Sequence, residues 1–260
     1  MVKTTKKEKI IRASLIGGAL LLLVILATIY HESVWSALSA NFLQSGNYWK
    51  LLQGLGNTFL ITFVAFITGL LLGTLVCLIN ESRSQNTVIL ILKQIAKFYV
   101  LLFRGTPVVV QLLIIYFILF ASYSGPAVII ATMAFALNSG AYVSEYIRGG
   151  IGAVPQGQME AGLSLGLPYR TVMAKIILPQ AFKNAFPSLG NELIALIKET
   201  SVAGFIGALD LTQGFRQLAN VTYDFTTVYL VMGVTYFLIV MGLTALLSRL
   251  ERKVFKNANA

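Results

Sequence analysis

Long apolar windows recur along this chain, and each is of a length to cross roughly 30 Å of hydrocarbon, which takes about 17 to 25 helical residues. They fall near 13–30, 54–79, 98–121, 126–147, 186–209 and 225–247. A single water-soluble core does not hide so much apolar surface: of 260 residues 57% are hydrophobic and 12% charged, with a mean hydropathy of +0.78. The windows are continuously apolar, whereas a porin-like barrel needs shorter segments that alternate apolar and polar residues. The expected fold is therefore all-α, an integral membrane protein with six transmembrane helices.

Orientation follows from the basic residues, which are retained on the cytoplasmic side. Lys3, Lys6, Lys7, Lys9 and Arg12 precede the first window, and Arg83, Lys93 and Lys97 lie between the second and third. Arg148, Arg170, Lys175 and Lys183 follow the fourth, and Arg249, Arg252, Lys253 and Lys256 follow the sixth. These are sixteen of the twenty Lys and Arg residues, and only Lys50 and Arg216 sit on the opposite side. Both termini and the 148–183 loop are expected in the cytoplasm. The net charge of +10 is spread over juxtamembrane segments rather than gathered on one face. That pattern fits anionic lipid headgroups of the bilayer and speaks against nucleic acid as a partner.

Residues 1–30 have a competing reading as a secretory signal, a basic stretch before an apolar core. No A-x-A cleavage site follows closely, so an uncleaved first helix is expected. Gly17 and Gly18 in that helix, and Gly69 with Gly73 in the second, offer small surfaces for close helix packing within the chain or on a second chain. The outward loop 31–53 is polar, and its Trp35, Tyr48 and Trp49 suit an interfacial belt. Cys77 is alone and forms no intrachain disulfide.

Ionisable groups in hydrocarbon are costly unless paired or wet, so those inside the windows point to function. Lys198, Glu199, Thr200 and Ser201 interrupt the fifth window, with Asn191 and Glu192 two turns earlier. Glu192 and Glu199 share one helix face, and Lys198 lies about 100° around from Glu199. Such a face lines a cavity, or else Lys198 pairs with an acid on a neighbouring helix. Arg104-Gly105-Thr106-Pro107 breaks the third window, because Pro107 removes a donor and disfavours helix geometry at Thr106. Broken helices expose backbone at substrate pathways; the alternative is an Arg104 that snorkels from a mere kink. Asn138, Tyr142 and Glu145 fall at helical spacing and give the fourth window a polar side.

The loop 155–183 is stiffly punctuated. Pro155 precedes a helix-capable run over 156–165, and Gly166 with Pro168 forms a stop. A second short helix is expected to begin at Pro168, with Val172 and Ile176 on one stripe and Met173 and Ile177 beside it, and to end at Pro179. Two short helices at an angle make a knob, with Ala161 and Gly162 allowing close approach and Glu160 offering a fixed charge to a basic partner.

From Glu160 to Pro179 this loop resembles the EAA loop of permease subunits of bacterial ATP-binding-cassette importers: E-A-A-x-x-x-G, nine residues, I-x-L-P, with Gly162 in place of the third-position alanine. Four further segments resemble the branch for polar amino acids. They are Phe103-Arg104-Gly105-Thr106-Pro107 with Gln111, Asn138-Ser139-Gly140-Ala141-Tyr142, Glu145-x-x-Arg148-Gly149-Gly150-Ile151, and Asn191-Glu192 followed by Lys198-Glu199-Thr200-Ser201. Gly140 stands where alanine is commoner. The resemblance covers roughly 50–250 and leaves the first helix outside.

The resemblance implies a type I (MetI-like) importer fold, five core helices plus an N-terminal extra one, in a bacterial cell membrane. It divides the chain into 1–50 (basic terminus, first helix, outer loop), 51–250 (permease domain, coupling loop 155–183) and 251–260 (cytosolic tail). Glu160, Ala161, Gly162, Gly166 and Pro179 would dock an ATPase subunit, while Arg104, Asn138, Tyr142, Glu192, Glu199, Thr200 and Ser201 would border the substrate route. The implied partners are an ATPase dimer, a second permease chain, identical or related, and an extracytoplasmic amino-acid-binding protein.

The chain has no G-x-x-x-x-G-K-[ST] loop, so ATP and Mg are expected on the ATPase partner and no cofactor on this chain. Gly162-Leu163-Ser164-Leu165-Gly166 satisfies G-x-S-x-G, yet the sole histidine, His31, is expected across the membrane from Ser164. No H-E-x-x-H or cysteine cluster suggests a metal site. The rival reading is a secondary amino acid transporter driven by an ion gradient, which accounts for the intramembrane charges but not for the cytosolic knob.

Overall fold

A computed structural model of the chain describes residues 48–82 and 84–256, with side chains to 252. The expected first helix, with Gly17 and Gly18, and also Trp35 and His31, lie outside the described residues. What is described is helical throughout its regular elements. They are α1 (Tyr48–Glu81), α2 (Thr87–Gly105), α3 (Val108–Ile114, extended by a π-turn over Ile115–Leu119), α4 (Ala127–Gly152) and α5 (Gln156–Ser164). After them come α6 (Tyr169–Val172, then a π-turn over Met173–Ile177), α7 (Leu178–Glu199, then a 3₁₀ segment Thr200–Ile206), α8 (Leu211–Thr222) and α9 (Phe225–Lys256).

Three of these, α1, α4 and the Phe225–Arg252 part of α9, are long and apolar enough to cross a membrane, and α2 with α3 forms a fourth candidate bent by 113°. The third window is thus a broken element rather than one rod. Thr106 is extended (φ −126°, ψ 150°), as the residue before a proline must be, and Pro107 sits at the N-cap of α3. The fifth window differs from expectation. Its helix begins at Leu178 and ends at Glu199, and Gln180, Lys183, Asn184, Asn191, Glu192, Lys198 and Glu199 leave α7 too polar to count as an apolar span.

Close packing of α1 on α4 organises the bundle. Gly69 and Gly73 make it possible: a Cβ on Gly69 would stand 2.9 Å from Ser139 Cβ, and one on Gly73 2.6 Å from Gly140 O and 2.7 Å from Val143. Small residues that admit a neighbouring backbone are how helices associate where lipid removes the hydrophobic drive. Farther along α4, Gly150 admits α7, since a Cβ there would meet Ala181 O at 2.4 Å. Ile61, Ala65, Leu112, Ile130, Ala134, Phe135, Leu196 and Ile206 form the main core between α1, α3, α4, α7 and the 3₁₀ segment. Thr62, Thr68, Thr74, Thr132 and Thr235 donate to carbonyls one turn back, so these hydroxyls need no water.

At the opposite end of α4 from α5, a polar clasp ties α8 to α1. Asn57 Nδ2 donates to Leu209 O at 2.7 Å, and Leu211 N donates to Thr58 Oγ1 at 3.0 Å. The buried Asp210 caps α8 by accepting from Thr212 N and Gln213 N, both at 3.0 Å. Gly54 is required there because its Cβ would fall 2.6 Å from Asp210 O.

Candidate functional site

The break between α2 and α3 strips carbonyls of their helical partners, and in hydrocarbon each needs a new one. Gln111, one turn into α3, supplies it. Its Nε2 lies 2.8 Å from Phe103 O, 2.9 Å from Thr106 O and 2.8 Å from Thr106 Oγ1. Asn138 of α4 completes the knot, donating from Nδ2 to Gln111 Oε1 at 2.8 Å. Gln111 and Asn138 are both buried. Asn138 therefore faces the knot, with its amide nitrogen committed there. The sequence signal for Gln111 is a lone amide in the apolar run Val108–Ile114, four residues after a proline.

Beside the knot, Arg104 reaches across to α4. Its Nη1 donates to Glu145 Oε2 at 3.1 Å, and its guanidinium sits 5.5 Å from the centre of the Tyr142 ring, in cation–π range. Arg148 takes the same carboxylate from the other side, Nε to Oε1 at 2.9 Å and Nη2 to Oε2 at 2.7 Å. One carboxylate thus holds two guanidiniums, and the group keeps a net positive charge. Arg104 and Tyr142 thus come together, joined to Glu145.

Glu192 is buried on α7 beside the buried Ser139 and beside Tyr146 of α4. Glu199 is half-buried one face-repeat farther along. Thr200 is fully buried and donates to Ile197 O at 2.9 Å, closing its own helix end. Ser201 and the exposed Lys198 line another space, a cavity of about 460 Å³ with Thr212, Tyr236 and Phe237. Lys198 makes no salt bridge among the described residues; the ion pairs found there are those of Glu145 with Arg104 and Arg148. The seven residues expected along one route therefore divide among the Arg104–Tyr142 group, the Asn138 knot, the Glu192–Glu199 face and the Thr200–Ser201 turn. Among the described residues no three His, Cys, Asp or Glu side chains gather as metal ligands would.

The loop after α4 builds the expected knob. α5 is capped by Pro155, Gly166 adopts a left-handed φ of +75°, and Leu167 N donates back to Gly162 O at 3.2 Å. Gly162 is buried, and a Cβ on it would lie 2.8 Å from both methyls of Val172. Val154, Val172, Ile177 and Ala181 are the small core beneath the knob, with Met173 and Ile176 packed on it. Glu160, Ala161, Leu163 and Leu165 remain exposed, Leu165 at 80%. A cavity of about 430 Å³ opens beside them between Glu81, Met159, Glu160 and Tyr169. Pro179 does not end the second short helix. The π-turn carries the chain on in helical geometry, and Pro179 falls in the first turn of α7, where its missing N–H costs nothing.

A helical membrane bundle with an exposed, glycine-fitted knob at one end matches a known family. Residues 90–256 match the family described as binding-protein-dependent transport system inner membrane component. The chain belongs to this family. It is similar to the arginine transport system permease protein ArtQ of Bacillus subtilis (strain 168), 40% identical over 209 residues that cover 80% of this chain and 93% of that protein. It is 38% identical to the putative glutamine transport system permease protein GlnP of Rickettsia felis, with 80% and 94% covered. Among solved structures, an amino acid ABC transporter aligns with a TM-score of 0.72 at 38% identity, over 78% of this chain and 94% of that one. An inward-facing MetNI methionine ABC transporter aligns at 0.69 and 21% identity, over 82% and 99%, which speaks to the fold alone. This permease thus has the all-helical type I, MetI-like importer fold and is the translocation subunit of an ATP-driven importer. The ion-gradient alternative falls with that assignment.

Proposed function

We propose that this permease passes an amino acid across a bacterial cytoplasmic membrane and is driven through its α5 knob by a separate ATPase dimer, which binds the ATP and Mg. The observation that carries the coupling reading is the knob itself. An exposed Glu160, with Leu163 and Leu165 beside it, stands on a base fixed by the Gly162–Val172 contact. A free cytosolic loop needs no such base, and a docking element does. The relatives' names support an amino acid as cargo.

The rest of the reading follows from charge, composition and the resemblance to importer permeases. Six helices with both termini inside leave α5 in the cytosol and α8 outside. The division 1–50, 51–250 and 251–260 separates the extra helix from the permease domain and the tail. A second permease chain, identical or related, and an extracytoplasmic binding protein complete the assembly. The Glu192–Glu199 face, with Ser201 beyond it and Arg104 and Tyr142 across α4, borders the route. Its carboxylates suit the substrate's ammonium group, and the Asn138 knot and Thr200 hold the backbone that shapes it. The chain itself hydrolyses no ATP.

The deciding experiment reconstitutes the complex in proteoliposomes with binding protein and ATP inside. Glu160→Lys is expected to lower uptake and binding-protein-stimulated ATP hydrolysis together by at least about ten-fold, with normal membrane insertion. Unchanged coupled hydrolysis would reject the docking role.

A further inference from the structure

A cavity of about 330 Å³ lies beside the Arg104–Glu145 pair, between α1, α2 and α4, and Asn80, Lys97, Leu101, Arg104 and Glu145 line it. Two features of its wall do not belong to the coupling or route residues. Lys97 is exposed at the rim and meets no acid among the described residues. Asn80 Oδ1 is buried without a hydrogen-bond partner. That oxygen is closed off from the cavity, so what the cavity offers a ligand is positive charge. Glu145 does not cancel the cations, because its single negative charge is shared between Arg104 and Arg148.

The surroundings say what kind of molecule reaches it. Phe98 and Leu101, on the same exposed side of α2 as Lys97, are 65% and 71% exposed, so the mouth is flanked by side chains suited to hydrocarbon. The cavity sits level with the last turn of α1, near the end of the membrane that carries most of the positive charge. Basic pockets between transmembrane helices at that level bind anionic lipid headgroups.

We infer that this cavity is an anionic phospholipid site: Lys97 holds the phosphate, the Arg104 guanidinium beside it adds positive charge, and the acyl chains run along Phe98 and Leu101. An anionic lipid such as phosphatidylglycerol meets these demands. Phosphatidylcholine lacks the net charge. The inference rests on the inward orientation proposed above for the α1–α2 turn, but it concerns bound lipid and not transport.

The test uses the intact transporter complex, equilibrated with phosphatidylcholine bilayers containing a minor fraction of phosphatidylglycerol, then extracted gently and analysed for retained lipid by native mass spectrometry. Phosphatidylglycerol is expected to be enriched over its share of the bilayer, and Lys97→Gln to cut that enrichment by about five-fold. Lys175→Gln removes an equal charge away from the cavity and is expected to leave it unchanged. Added inorganic phosphate is expected not to displace the lipid. Retained lipid that mirrors the bilayer, equal losses in the two variants, or displacement by free phosphate would each overturn the site. Uptake is measured in parallel: loss of uptake with lipid enrichment intact speaks against the transport reading alone.

Discussion

At the scale of single residues, the knot at the α2–α3 break carries more of the structure than its two amides suggest. Removing the Gln111 side chain takes the side-chain donor from Thr106 O and leaves the buried Asn138 amide with only its long 3.4 Å contact to Phe103 O. A buried polar group so orphaned costs about 1 to 3 kcal/mol. Gln111→Ala is therefore expected to lower the thermal midpoint of the purified complex, with a loss in that range by denaturation. Gln111→Ala combined with Asn138→Ala should cost clearly less than the two single losses summed, because the residues share one network; additive losses would dissolve the knot as a unit. The acids of α7 call for a different readout. Glu192→Gln and Glu199→Gln are each expected to reduce uptake by about ten-fold while leaving assembly intact, the size of one weakened charge contact. Unaltered uptake kinetics in both variants would remove them from the route. Here the sequence is informative about which side chains share a face and silent about what that face meets. Asn138, Tyr142 and Glu145 do follow one another at helical spacing, yet Asn138 turns into the knot while Tyr142 and Glu145 receive Arg104. The partner residues come from α2 and α3, 27 to 41 positions earlier, and no local pattern on α4 encodes them.

At the scale of elements, turn chemistry was legible and continuity was not. Pro107 marks a break because its ring and missing donor act on its immediate neighbours, and Gly166 marks a stop because its positive φ excludes side chains. The same logic misjudges Pro179, since a proline in a first turn is compatible with a helix that a π-turn has already set on course. Whether the chain arrives there in helical geometry depends on Val172 and Ile177 being buried together, which is a tertiary fact. That packing also gives a physical reason for the glycine at position 162, where the family's pattern has alanine. A methyl there meets both methyls of Val172 at 2.8 Å, and a β-branched side chain has little rotamer freedom with which to yield. Gly162→Ala is expected to destabilise the knob by about 1 to 2 kcal/mol, the scale of modest overpacking. Adding Val172→Ala should restore coupled ATP hydrolysis toward the parent value even though it empties part of a core. Hydrolysis equally impaired in the single and double variants would show that position 162 acts through the partner subunit and not through Val172.

At the scale of the whole molecule, membrane residence was written in continuous apolar length, but the count of crossings was harder to read. Windows report hydropathy along the chain, whereas a crossing is a path through the bilayer. The third window is one stretch in sequence and two helices 113° apart in space, and the fifth is a helix that buries Glu192 in the bundle while Asn184, Asn191 and Lys198 stay exposed. Glu192 is tolerated there because α4 encloses it, so burial in the bundle does for this acid what hydrophobicity does for α1 and α9. An assignment of sides that rests on basic residues alone is therefore best checked at the two ends of the bundle, which the fold keeps far apart. Leu165 on the knob is 80% exposed and Val221 on α8 is 63% exposed, while the native Cys77 is buried and raises little background. With a membrane-impermeant maleimide, Val221→Cys is expected to label in intact cells and Leu165→Cys only in inverted vesicles. Saturating the vesicles with the assembled ATPase subunit should then protect Leu165→Cys and leave Val221→Cys untouched. Labelling of Leu165→Cys from outside would reverse the bundle in the membrane, and the knob would then stand on the wrong side for any ATP-driven motor to push.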